Sequence, residues 1–164
     1  MALFLSAERN SDIRVSGYGI TNDANHITGP SRDGAGLATA LRRAIEMSEL
    51  EPAEVQAFCA HGTATRYNDN MELLAAQSVF GDNSLKIFGI KGAVGHTLGA
   101  AGGVEIALCG KCLAEAIIPP TVGCELPESP HIVLCPTAFP GRNIITSNSG
   151  FGGVNAAILM EKLT

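Results

Sequence analysis

The sequence predicts an α/β fold with a mixed, mostly parallel sheet. Three observations lead there. Short apolar runs alternate with amphipathic helical patterns through the first two thirds of the chain. Glycine, proline, asparagine and aspartate punctuate the joins between them. The closing segment reads as strand, tight loop and strand, which adds an antiparallel pair.

The elements follow in order. Arg14 to Thr21 is a strand interrupted by glycines. A helix is expected over residues 36–50, with Leu37, Leu41, Ala44, Ile45 and Leu50 on its apolar stripe and Arg42, Arg43, Glu46 and Glu49 outside. Val55 to Ala60 is a short strand that runs into the polar loop His61-Gly62-Thr63-Ala64-Thr65. Asn68 and Asp69 are good helix starters, so a helix is expected from Asp69 to Phe80, stopped by Gly81. Leu85 to Ile90 is a strand, Lys91 to Leu98 a glycine-rich loop, and Gly99 to Glu115 a long helix ended by Pro119-Pro120. Ile132 to Cys135, Asn143 to Ser147 and Asn155 to Glu161 read as strands, with Gly150-Phe151-Gly152-Gly153 as the loop between the last two. No repeat or linker divides the chain.

Composition narrows the functional classes. The 164 residues carry 11 Lys+Arg against 16 Asp+Glu, a formal net charge of −5, which speaks against a general affinity for nucleic acid. The opening residues MALFLSAERN lack a basic region and a full apolar region, so no secretory signal is expected. The longest apolar-rich stretch, Leu98 to Ile118, is interrupted by Glu105, Lys111 and Glu115 and is not expected to span a membrane. An odd number of cysteines (Cys59, Cys109, Cys112, Cys124 and Cys135) and no N-x-S/T sequon fit a reducing, cytoplasmic setting. Cys109-Gly-Lys-Cys112 sits inside a helical pattern and reads as core thiols, not a redox or zinc motif. One oddity stands out. Only 16% of residues are charged and the mean hydropathy is +0.20, so part of the apolar surface belongs against something else.

The chemistry-bearing residues gather where strands stop, which is where α/β sheets bind ligands. His61 follows one strand; Lys91 and His96 follow another; Phe151 and its glycines follow a third. Such a set suits proton handling and oxyanion support. A metal site from His61, His96 and Asp69 or Glu72 lacks close ligand spacing, and Lys91 would repel a cation. Phosphate-loop and dinucleotide fingerprints are absent. His26 and His131 read as surface or turn residues.

The segments HGTATRYNDNMEL at 61–73, GIKGAVGHTLGAAGGVE at 89–105 and NSGFGGVNAAILM at 148–160 resemble the C-terminal half of β-ketoacyl-acyl carrier protein synthases. GYGITNDANHITGP at 17–30 is similar to the start of that half, and the likeness covers about Val15 to Lys162. The resemblance implies a lead-in over 1–14 and one domain over 15–164. It implies a thiolase-like half: a three-layer αβα-type unit with a mixed, mostly parallel five-stranded sheet and the antiparallel strand-loop-strand at its end.

By the same resemblance, His61 and His96 are the two catalytic histidines, Lys91 orders their cluster, and Glu72 is the glutamate that pairs with His61. Thr63 and Thr65 match the threonines that hydrogen-bond a phosphopantetheine arm; Phe151 and Gly152 match the loop beside the acyl entrance. No metal and no covalent cofactor are implied; substrates would ride on the phosphopantetheine of acyl carrier protein. Implied partners are that carrier, an N-terminal half bearing the nucleophilic cysteine, and a second copy of the chain. None of the five cysteines here has the nucleophile's context, and Ser149 stands where the family often has phenylalanine. The helix from Gly99, with Ile106, Leu108 and Leu113, would pack against its counterpart in the other half. A non-catalytic ketosynthase-like partner or carrier-binding module is the alternative, against which the intact His61, Lys91 and His96 argue.

Overall fold

The computed structural model describes residues 5–8, 11–27, 29–81 and 84–163. Its strands are β1 (Ile13–Asn22), β2 (Ala57–Cys59), β3 (Lys86–Phe88), β4 (Ile117–Ile118), β5 (Thr137–Ala138), β6 (Asn143–Gly150) and β7 (Val154–Lys162). Its α-helices are α1 (Ala35–Met47), α2 (Arg66–Phe80), the single turn α3 (Lys91–Val94) and α4 (Ala101–Glu115). The expected lead-in over 1–14 lies partly outside the described residues, and β1 takes up its last two positions.

The main sheet has five strands in the order β1-β7-β6-β2-β3. β2 pairs in parallel with β3 and with β6, and β7 runs antiparallel to both β6 and β1. Four strands therefore point one way and β7 alone points back, so the sheet is mixed, as expected, with two parallel and two antiparallel pairings. Helices cover both faces. One core layer joins Leu37, Leu41 and Ile45 of α1 and Met71 and Val79 of α2 to Phe58, Ile145 and Leu159. The other joins Cys109, Cys112 and Leu113 of α4 to Cys59, Phe88, Ile144 and Met160. Neighbouring residues of one strand serve opposite layers, as the two-residue period of a strand requires. The Cys109–Cys112 pair is thus core packing, as its helical setting suggested.

Several elements differ from expectation for local reasons. α1 stops at Met47 because Ser48 turns its hydroxyl onto the Ile45 carbonyl and Glu49 enters the left-handed region at φ 60°. α2 starts at Arg66, ahead of Asn68, with the Thr65 carbonyl accepting from the Asp69 amide. The run 132–135 is not a strand. Pro130 and Pro136 flank it, and only one parallel bridge, Ile87 with Ile132, forms beside β3. A small antiparallel pair, β4 with β5, appears nearby instead. Leu113 faces inward, fully buried, so of the three residues expected on the outer face of α4 only Ile106 and Leu108 remain half-buried there.

α1 rides directly on β1 because Gly17 and Gly19 leave room for it. A Cβ at Gly17 would stand 1.9 Å from the Ala44 carbonyl oxygen, and one at Gly19 2.0 Å from that of Ala40. Gly17→Ala is therefore expected to cost about 3 kcal/mol or more by overpacking against backbone, read as a fall in the urea unfolding midpoint.

Beyond Ile13, which packs into the α4 layer, the opposite face of β1 is bare. Tyr18 and Ile20 are 56% and 58% exposed, and Val154 of β7, Val94 and Leu98 are exposed as well. This locates part of the compositional surplus of apolar surface. The isolated chain is expected to bind an apolar dye or to exceed 17.0 kDa by light scattering; a monodisperse, dye-silent monomer would contradict this.

Candidate active site

All four co-directional strands end at one edge of the sheet, and the sequence-predicted residues lie just beyond them. His61 follows β2, and Lys91 follows β3 and opens α3. His96 lies in the turn between α3 and α4. The His61 and His96 rings meet edge to face, centroids 5.3 Å apart at 84°. The Lys91 ammonium stands 3.2 Å from His61 Nδ1. Lys91, His96, Thr63 and Glu72 line one cavity of about 520 Å³, floored by Phe58 and Phe88.

The hydrogen bonds assign the proton on His61. An ammonium can only donate, so Nδ1 must accept from Lys91, and the imidazole proton resides on Nε2. The ring stays neutral. Burial first, then the charge of Lys91, then His96, lower its pKa from 6.5 to about 3. A neutral imidazole with a fixed Nε2–H is a hydrogen-bond donor suited to an oxyanion.

Lys91 is held by a residue the sequence reading passed over. Glu105 Oε1 accepts from Lys91 Nζ at 2.5 Å, with side chains only 7% (Lys91) and 1% (Glu105) exposed. Burial pushes the Glu105 carboxyl pKa up, against the pull of Lys91. Its other oxygen, Oε2, accepts from Asn148 Nδ2 at 3.1 Å and Thr146 Oγ1 at 3.5 Å. A signal for Glu105 did exist. It falls on the buried stripe of α4 with Ala101, Cys109 and Leu113, at four-residue steps. A carboxylate there demands a partner.

Glu72 engages His61 through the main chain, not the ring. Its Oε1 accepts from the His61 amide at 2.6 Å and from Ser147 Oγ at 3.3 Å. Its Oε2 accepts from the Gly62 amide at 2.8 Å and from Asn68 Nδ2 at 2.9 Å. This buried carboxylate shapes the turn that presents His61. Burial raises its pKa from 4.5 to about 7, against those two amides.

The remaining positions divide. The Thr63 and Thr65 hydroxyls lie 3.0 Å apart on the exposed side of the His61 loop. Phe151 and Gly152 form the turn between β6 and β7. Gly152 donates its amide to the Ile27 carbonyl, and the exposed Phe151 ring stands apart from the cavity lining. The His96 turn is strained: Thr97 and Leu98 take φ of 50° and 48°, which β-branched and bulky residues rarely adopt.

The model of the family "Beta-ketoacyl synthase, C-terminal domain" matches residues 13–125. The chain is 38% identical over 156 residues to 3-oxoacyl-[acyl-carrier-protein] synthase 2 of Rhizobium meliloti (strain 1021), covering 92% of the chain and 37% of that protein. Among solved structures, the ishigamide ketosynthase/chain length factor superposes with a TM-score of 0.86 at 31% identity, over 93% of this chain and 38% of that one. A type II polyketide synthase ketosynthase, in complex with its acyl-carrier protein and bound to the hexaketide, superposes at 0.87 with 26% identity, over 93% and 39%. The chain belongs to the β-ketoacyl synthase family as its C-terminal domain, with the thiolase-like half fold of those synthases. It spans somewhat over a third of the length of the relatives it matches.

The two perturbed groups act on stability with opposite sign. Between about 3 and 6.5 the unfolded chain takes up a proton that folded His61 refuses, so stability from His61 falls as pH drops through that window. Between 4.5 and about 7 folded Glu72 keeps a proton that the unfolded chain has released, so stability from Glu72 falls as pH rises. Urea unfolding of His61→Gln is therefore expected to show less acid loss than wild type. Glu72→Gln should show a steeper gain from pH 4.5 to 6.5.

Proposed function

We propose that this domain supplies the histidine–lysine half of a ketosynthase site for decarboxylative Claisen condensation in fatty-acid or polyketide assembly. A cysteine in an N-terminal half would carry the acyl group as a thioester. A malonyl-type unit would arrive on the phosphopantetheine of acyl carrier protein, whose arm the paired hydroxyls of Thr63 and Thr65 would hydrogen-bond. The carboxylate C–C bond breaks and releases carbon dioxide, and its electron pair forms an enolate. The enolate carbon attacks the acyl carbonyl, and the cysteine leaves as thiolate.

The observation that carries this reading is the neutral His61 with its proton fixed on Nε2 by Lys91, its ring against that of His96. Such a ring, packed against His96, can donate to the oxygen on which enolate charge develops, in a site where that donor is already oriented. The family membership and the likeness to ketosynthases that act with acyl-carrier proteins support the same reading. A second copy of the chain and the N-terminal half are the proposed partners for the bare apolar face.

The test is to assay acyl transfer and condensation with this chain alone and with an N-terminal half. The chain alone should do neither. In the assembled synthase, His61→Ala or His96→Ala should lower condensation by roughly 10²–10⁴-fold while the cysteine is still acylated. Robust acylation of the chain alone, or condensation unaffected by His61→Ala, would overturn the reading.

A further inference from the structure

We infer that Asn148 is a positioning residue for His61. Through Glu105 and Lys91 it fixes which ring nitrogen of that histidine carries the proton. The inference rests on the reading of His61 as an oxyanion donor and adds a residue that acts on it from beyond its contacts.

The path is continuous. Asn148 Nδ2 donates to Glu105 Oε2, Glu105 Oε1 accepts from Lys91 Nζ, and Lys91 Nζ donates to His61 Nδ1. Each bond divides the labour of the next group. Glu105 has two oxygens, and Lys91 could take both in a chelate. Asn148 holds one of them, so Lys91 meets a single oxygen and keeps a proton directed at His61. Thr146 cannot substitute for it, because its hydroxyl reaches the same oxygen only at 3.5 Å, the limit of a hydrogen bond. Removal of the amide leaves a buried carboxylate oxygen without a strong donor. The carboxylate then turns toward Lys91, the ammonium follows it, and Nδ1 of His61 loses its partner. A neutral imidazole without that partner populates both tautomers.

The location makes this a functional coupling. Asn148 lies on β6, three residues before Phe151. Ser149, the next residue, projects to the other face of the sheet and donates its hydroxyl to Asn155 Oδ1. The two neighbours therefore separate a specific effect on Glu105 from a general disturbance of the strand.

Long-range ¹H–¹⁵N correlation spectra of the imidazole nitrogens in the 164-residue chain provide the test. In the native chain His61 is expected as one tautomer, Nδ1 bare and Nε2 protonated. In Asn148→Ala the two nitrogen shifts should converge, the mark of tautomer exchange, while Ser149→Ala should retain the native pattern. Unchanged His61 shifts in a folded Asn148→Ala chain would overturn the inference, as would equal convergence in Ser149→Ala. If Asn148→Ala does not fold, Asn148→Ser, whose hydroxyl is too short to reach Glu105, is judged by the same two outcomes. Failure of both to fold would make Asn148 a structural residue and also overturn it. The readout does not depend on condensation. Converged shifts with undiminished kcat in the assembled synthase would sink the role given to His61 and leave that of Asn148 standing.

Discussion

The ion pair between Lys91 and Glu105 is the contact around which the site is built. Both charges are out of water, and an unmatched charge in that position would cost several kcal/mol. The pair persists because each member is further hydrogen-bonded: Lys91 to His61, and Glu105 to Asn148 and Thr146. Its geometry has a chemical result. It places a permanent positive charge beside an imidazole, keeps that imidazole neutral, and leaves its proton on the nitrogen away from the lysine. Orientation by a fixed charge is what separates a donor at rest in the right direction from one that must reorganise during reaction.

β6 makes this arrangement possible. Its successive residues Thr146, Ser147 and Asn148 project to alternate faces of the sheet. Ser147 meets Glu72 from α2, on the side of α1, while Thr146 and Asn148 meet Glu105 from α4 on the other side. One strand thus satisfies two buried carboxylates, one in each helix layer. Glu72 sets the backbone of the His61 turn and Glu105 sets its ring. The polar end of β6 continues a strand whose preceding residues, Ile144 and Ile145, divide between the two apolar cores in the same alternating way.

Much of this was legible in the sequence. Alternating apolar runs and helical stripes fixed the strands β1, β2, β3, β6 and β7, the long helices, and the edge at which His61, Lys91 and His96 meet. The run 132–135 misled because its apolar character is real, while its flanking prolines deny it a ladder. Glu105 was overlooked because it was read as an interruption of an apolar stretch, not as a charge on a buried stripe. Ser147 and Asn148 could not be chosen from sequence, since short polar residues near a strand end are common and their partners lie 75 and 43 residues away. Which face of β6 each one serves depends on register, and register is a property of the assembled sheet.

The place of β6 in the sheet also governs when the site can exist. β6 is an interior strand, between β7 and β2, yet it follows α2 and α4 in the chain. On a ribosome, α2 and α4 emerge with their glutamates well before the strand that supplies their donors. Until residues 146–148 are inserted, both carboxylates must remain hydrated, and the helices cannot close on the sheet without stranding them. Docking of the helix layers, closure of the sheet and setting of the His61 imidazole therefore depend on one set of long-range contacts, and such contacts form slowly.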